Sequence, residues 1–163
     1  MSKKTRVLIL TGSANDAPKL SGAREVLDEL GIPFRFHVAS AHRTPERAVR
    51  LVEEAERQGV QVFIACAGMA NHLAGAVAAH TVLPVIGVPL SGNAMGGLDA
   101  LLSTVQMPPG IPVATVAVGG ARNAGILAAQ ILATMDATLK RKLRAMRRKM
   151  KRKVEATDGK IGI

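Results

Sequence analysis

The chain has a single cysteine, Cys66, among 163 residues. That excludes an internal disulfide and any multi-cysteine metal site, and it fits a reducing cytoplasm. There is no Trp and no Tyr, and aromatic residues make up 2% of the whole. Base stacking of the kind that holds single-stranded nucleic acid is therefore not to be expected. No apolar run approaches the roughly 20 residues of a membrane span, and the amino-terminal residues carry no signal-peptide pattern, so a cytoplasmic location is expected. Lysine is missing between Lys19 and Lys140, which removes a phosphate-loop Lys and a central Schiff-base Lys. Acids thin out too. After Glu56 only Asp99 and Asp136 precede the tail, leaving few candidates for a carboxylate pair or a hard-cation cage. The loop Gly12-Ser13-Ala14-Asn15-Asp16 lacks the three-glycine dinucleotide fingerprint, and no acid ends the second predicted strand to hold a ribose. Nucleotide-cofactor redox chemistry is not expected.

What is present is a small-residue apolar core. Hydrophobic residues reach 48% with 16 Gly, which suits tightly packed parallel α/β layers, and the length fits one domain spanning residues 1–163. The net charge of +10 looks like a nucleic-acid footprint until it is located. Residues 140–163 hold eleven of the 22 basic residues and two of the 12 acids. The basicity belongs to a tail, and the body is nearly neutral.

Read in order, residues 1–5 form a short tail and Val7-Leu8-Ile9-Leu10 a first strand. Asn15 or Asp16 is placed to cap the next helix, with Pro18 in its first turn and Gly31 at its stop. Residues 34–38 alternate as a second strand, and residues 45–58 make an amphipathic helix opened by Pro45 and ended by Gly59. Strands follow at residues 60–65, 83–88 and 113–118. Helices are expected at residues 73–80, 99–105 and 123–135, and residues 89–98 form a long glycine-containing connection. Five strand-helix units in alternation predict a three-layer flavodoxin-like fold: a parallel five-stranded sheet in the order 2-1-3-4-5, the first helix on one face and later helices on the other. From residue 136 on, Leu139, Leu143, Met146, Met150 and Val154 recur at helical spacing, predicting a C-terminal amphipathic helix with a basic outer face. Its simplest reading is a helix packed on the body or on a neighbouring subunit; a nucleic-acid or membrane-surface contact is the other.

The chemistry gathers in loops after the strands, where open α/β sheets bind ligands. The central one is Ser40-Ala41-His42-Arg43-Thr44-Pro45. It supplies a hydroxyl, an imidazole that titrates near neutrality and a guanidinium fork that fits phosphate. Taken alone, this loop is equally well read as a helix cap at Thr44 with polar turn residues around it. Its neighbours change the balance. If the fold is right, Ser13 and Asp16 from the first loop meet Ser40, His42 and Arg43 from the second and Gly68, Asn71 and His72 from the third. The result is a phosphate-and-ribose cradle around an imidazole, with Gly68 letting backbone approach the ligand. His37 within a strand and His80 at a helix end read as structural.

These residues resemble the N5-carboxyaminoimidazole ribonucleotide mutase family of de novo purine synthesis. The likeness runs from Gly12-Ser13 through Ser40-Ala41-His42-Arg43-Thr44-Pro45, Ala67-Gly68, His72-Leu73, Leu83-Pro84-Val85-Ile86-Gly87-Val88-Pro89 and Val105-Gln106-Met107-Pro108 to Asn123-Ala124, most of residues 7–135. It implies a flavodoxin-like subunit in a homo-octamer, a small-molecule ribonucleotide substrate, no metal and no organic cofactor, and neither a membrane nor a nucleic-acid partner. By motif, Ser13, Asp16 and Arg43 would bind substrate with Ser40 assisting and Asn15 alongside. His42 would be the general acid/base, and His72 would line the same pocket. The family reaction moves a carboxylate from an exocyclic nitrogen to a ring carbon of aminoimidazole ribonucleotide, through bound carbon dioxide. Departures are Asn15 for Ser, Asn71 for a small residue, Ala74 for Pro, a short Gly119-Gly120-Ala121-Arg122 loop and the basic tail. Asn71 resembles the related class that carboxylates aminoimidazole ribonucleotide directly. His72 and the intact Arg43-Thr44-Pro45 favour the mutase. A non-catalytic ribonucleotide-binding protein is the further alternative.

Overall fold

In a computed structural model of the chain, residues 4–92 and 95–158 are described. Five parallel strands form one sheet in the order β2-β1-β3-β4-β5: β1 (Val7–Thr11), β2 (Phe34–Val38), β3 (Val62–Gly68), β4 (Val85–Leu90) and β5 (Ala114–Thr115). This is the predicted flavodoxin-like topology. Among the described residues six α-helices accompany them: α1 (Ser21–Leu30), α2 (Pro45–Arg57), α3 (Leu73–Ala78), α4 (Leu98–Val105), α5 (Ala121–Leu132) and α6 (Ala137–Glu155).

Side chains alternate across β1. Val7 and Ile9 enter one core with Val26 and Leu27 of α1 and Ala124 and Ala128 of α5. Leu8 and Leu10 enter the other with Val52 of α2 and Leu73 and Val77 of α3. The expectation that all later helices share the second face is corrected here, because α5 and α6 return to the face of α1. Right-handed crossovers place α1 opposite α2, α3 and α4, since the chain steps outward once and then back across the sheet. Among the described residues no strand follows α5, so it is free to cover Ile64, Cys66, Ile86 and Val88, which α1 alone leaves open. It lies close to α1 because it presents small residues: a Cβ on Gly125 would stand 2.9 Å from the Ala23 carbonyl oxygen.

Local boundaries shift for identifiable reasons. The segment after β1 does not open an α-helix at Asn15 or Asp16. Ser13 caps a 3-10 helix over Ala14–Leu20, its Oγ accepting from Asn15 N at 3.3 Å, and the α-helix starts only at Ser21. Pro18 lies inside the 3-10 turn, where Ser21 N donates to Pro18 O in the i→i+3 pattern. At the other end Gly31 takes φ 71°, and Ile32 N reaches back to Leu27 O at 2.8 Å. The predicted fifth strand contracts to two residues at the sheet edge, where only one neighbour supplies hydrogen bonds. Of the long connection at residues 89–98, residues 93 and 94 lie outside the described residues, as do residues 1–3 and 159–163.

Helix α6 is seated by its first half only. Asp136 caps it, accepting from Leu139 N at 2.9 Å and from Arg6 Nη1 at 3.0 Å. These contacts, the Leu139 N–H foremost, hold its carboxyl below the usual carboxylate range. Lys142 Nζ donates to Leu30 O at 2.6 Å, and Leu139 and Met146 are buried. Met150 and Val154, expected on the same packed stripe, are 43% and 71% exposed. Among the described residues no helix is long and apolar enough to cross a membrane.

Next to the sheet edge, β4 admits no extra atom at Gly87. A Cβ there would collide with Thr104 of α4 and stand 2.8 Å from Val113. Gly87→Ala is therefore expected to lower stability by about 1–3 kcal/mol, as overpacking does, and urea unfolding with an unchanged m-value would register it.

Candidate active site

The ladder register sets where the loops begin. Thr11 lies level with Val38 on one side and Cys66 on the other, and Gly68 is level with Leu90. The segments after β1, β2, β3 and β4 therefore leave the sheet along one edge and enclose a cleft of about 520 Å³, a size suited to a nucleotide.

The second loop is folded by its own side chains. Thr44 N donates to Ser40 O at 2.9 Å, and Thr44 Oγ1 accepts from Ser40 N at 3.0 Å while donating to Ser40 O at 3.1 Å. Ser40 Oγ accepts from Arg43 N at 3.2 Å. Thr44 precedes α2 but makes no side-chain cap to it. Its hydroxyl closes the turn that displays His42 and Arg43, so the helix-cap alternative does not hold for this side chain. Arg43 Nη2 donates to Gly12 O at 3.1 Å, joining the second loop to the first.

Across the cleft His72 stands at the start of α3. Its Nδ1 is 2.6 Å from His42 Nε2, and the rings meet edge to face with centroids 4.7 Å apart. That contact requires one of the two nitrogens to carry a hydrogen and the other a lone pair. Two exposed imidazoles then share one proton, which can be passed outward to a ligand and taken back. Such a pair can serve as an acid in one step and a base in the next.

Of the expected site residues, Ser13, Asp16, Ser40, His42, Arg43, Gly68 and His72 all line the cleft. Two lie elsewhere. Asn15 is exposed on the 3-10 helix outside the lining. Asn71 is fully buried behind the site. Its Nδ2 donates to Thr104 Oγ1 at 2.9 Å, and its Oδ1 has no hydrogen-bond partner among the described residues. The placement of Asn71 on the pocket wall is thus corrected: of the run from Gly68 to Leu73 it alone is turned away from the cleft, its amide held by Thr104 of α4. Gly68 has a second reason to be glycine: a Cβ there would be 3.3 Å from Leu90 O.

Four lining or neighbouring residues were not singled out from the sequence. Lys19 Nζ lies 3.0 Å from Asp16 Oδ1 and donates to Ser91 O at 2.9 Å, tying the first loop to the segment after β4. The three-residue spacing of Asp16 and Lys19 was the available signal; for Ser91, distant in sequence, there was none. Arg47 lies with Arg43, Ser13 and Ser40 around an adjoining recess of about 400 Å³, one helical turn after Arg43. Met69, on the cleft wall, is the one described non-glycine residue with positive φ, 55°, a conformation that costs ~1 kcal/mol.

The remaining titratable groups stand apart. His37 faces Arg35 and Glu54 around a small recess on another side of the sheet; burial first, then Arg47 and Arg35, holds its pKa below the ordinary value. The His80 Nδ1–H donates to Ala76 O at 2.8 Å. Cys66 is buried at the end of β3, and burial, with the Asp16 charge adding, pushes its thiol up, away from a reactive thiolate. Among the described residues no three His, Cys, Asp or Glu side chains cluster as a metal site requires.

A family model described as AIR carboxylase matches residues 6–153. The N5-carboxyaminoimidazole ribonucleotide mutase of Pyrococcus horikoshii is 52% identical over 154 residues, covering 94% of this chain and 87% of that one. The mutases of Haemophilus influenzae and Escherichia coli are 48% and 49% identical, covering 90% and 87% of this chain and 91% and 85% of theirs. A solved Treponema denticola PurE superposes with a TM-score of 0.89 at 28% identity, over 98% of this chain and 99% of that one. A family match running from the residue before β1 almost to the end of α6, with half the positions shared with several mutases, means that this chain belongs to the AIR carboxylase family.

Proposed function

We propose that the chain is an N5-carboxyaminoimidazole ribonucleotide mutase of purine biosynthesis, with His42 as its general acid/base. The observation that carries this reading is the His42–His72 contact at 2.6 Å on the wall of a nucleotide-sized cleft, in a chain about half identical to proteins of that name. Arg43 supplies the phosphate fork, with the Ser13 and Ser40 hydroxyls as partners. Asp16, fixed by Lys19, accepts from the ribose hydroxyls.

The reaction then needs one proton moved twice. As the bond between the exocyclic nitrogen and the carboxylate carbon breaks, its electron pair stays on nitrogen, which takes a proton from the His42 imidazolium, and carbon dioxide is freed. The ring carbon attacks carbon dioxide, forming the carbon–carbon bond, and gives its own proton to His42. Protons balance over the cycle. His72 holds the orientation of His42 and shares its hydrogen between the two steps. The paired imidazoles also argue against a purely binding protein, which has no use for a proton carrier. Direct carboxylation of aminoimidazole ribonucleotide rested on Asn71, whose side chain is turned to Thr104 and offers the substrate no contact.

The proposal includes a homo-octamer in the cytoplasm. Self-association is supported by the apolar stripe on α4, where Leu98, Leu102 and Val105 are about half exposed, and by the exposed Met150 and Val154 of α6; the count of eight and the location follow the family resemblance.

The two reactions separate in one assay. Purified protein offered N5-carboxyaminoimidazole ribonucleotide without added bicarbonate is expected to turn it over; turnover only of aminoimidazole ribonucleotide with bicarbonate would select the carboxylase. Replacing His42 by Asn is expected to lower kcat by a factor of about 10² or more, with ribonucleotide binding retained in calorimetry; near-normal kcat would move the acid/base elsewhere. For Arg43→Ala, loss of a charge-assisted pair predicts a KM raised by about 10- to 100-fold, and an unchanged KM would place the phosphate away from Arg43.

A further inference from the structure

Met69 combines two unfavourable features at one point on the cleft wall. It holds left-handed backbone that glycine would adopt without conflict, and its apolar side chain is 66% exposed. Neither feature serves the fold, since Met69 follows the last residue of β3 and joins neither hydrophobic core. A backbone outlier at a ligand-facing position points to a constraint imposed by function.

The chemistry supplies such a constraint. On the mutase reading, carbon dioxide must remain beside the ring between bond breaking and bond making. It is neutral, so Arg43 and Lys19 give it little purchase, and it is kept by excluding paths to solvent. The cleft wall is otherwise made of polar groups and glycine, with the small side chains of Ala41, Ala67 and Ala70 and the buried Leu73. Among the described residues Met69 is its one long, exposed apolar side chain. An unbranched thioether with three rotatable bonds adapts to the shape it covers.

We propose that Met69 is the lid of this site, a side chain that folds over the aminoimidazole ring and retains carbon dioxide. The inference rests on the mutase reading and extends it. Covering the ring buries the exposed thioether, so the bound state recovers what the free state forgoes. With the lid removed, carbon dioxide escapes after the nitrogen–carbon bond has broken and the nitrogen has taken its proton. The site is then left with aminoimidazole ribonucleotide, which it releases.

The test follows both products. The parent protein and the Met69→Gly and Met69→Leu variants are each given N5-carboxyaminoimidazole ribonucleotide without bicarbonate, and carboxylated and decarboxylated ribonucleotide are separated and quantified against a protein-free blank. The decarboxylated fraction is expected to rise about fivefold or more in Met69→Gly and to stay within about twofold of the parent in Met69→Leu. Met69→Gly is expected to melt at or above the parent temperature, because the left-handed strain is relieved. A decarboxylated fraction unchanged in Met69→Gly, or raised equally in Met69→Leu, would overturn the lid while leaving the mutase reading intact. A parent that consumes none of the substrate overturns the reaction, and the lid with it.

Discussion

Everything at the cleft depends on the parallel ladder that sets Thr11 level with Val38 and Cys66. In a parallel sheet every strand delivers its following loop to the same edge, and equal strand endings bring those loops into reach of one another. The ladder itself persists because β1 and β3 are buried on both faces, Val7 and Ile9 under α1 and α5, Leu8 and Leu10 under α2 and α3. A one-residue slip would exchange the two sets and carry Arg43 away from Gly12. Core packing therefore fixes the loops' starting points, and the loops need only short polar contacts to complete the site.

Those contacts divide the work. Thr44 and Ser40 close the second loop on itself, and Arg43 and Lys19 join it and the segment after β4 to the first. Each of these bonds is exposed and worth little alone in stability. Their effect is to reduce the conformations open to His42, whose partner His72 starts a helix rooted in the second core by Leu73 and Val77. One imidazole is thus held by a turn and the other by packing, an arrangement that keeps both rings on supported elements while leaving the cleft open.

Charge is distributed unevenly for a physical reason. The body is nearly neutral, and its cations at the cleft are held by neighbours, Lys19 by Asp16 and Ser91 O and Arg43 by Gly12 O. The excess sits on α6, whose first half is seated by Leu139, Met146 and the Asp136 cap. Crowded like charges lose little when they remain solvated along an exposed helix, and would be costly against the apolar sheet.

Much of this is legible in the sequence itself. Strict alternation in Phe34-Arg35-Phe36-His37-Val38, the apolar runs at Val7 and Val62 and the Gly and Pro stops between them determine a parallel α/β sheet, because burial and hydrogen bonding leave few other ways to satisfy those segments. The loop residues Ser13, Asp16, Ser40, His42, Arg43, Gly68 and His72 were legible as well, since they follow strands that must share an edge. What periodicity could not reveal were contacts between residues far apart in sequence: the return of α5 to the face of α1, the Lys19 link to Ser91, and the turn that buries Asn71 against Thr104 while exposing Met69. A chain's local pattern sets which side of each element is apolar and where it stops. Which surfaces then meet is decided by the space that the other elements leave, and that becomes defined only when the whole sheet has closed.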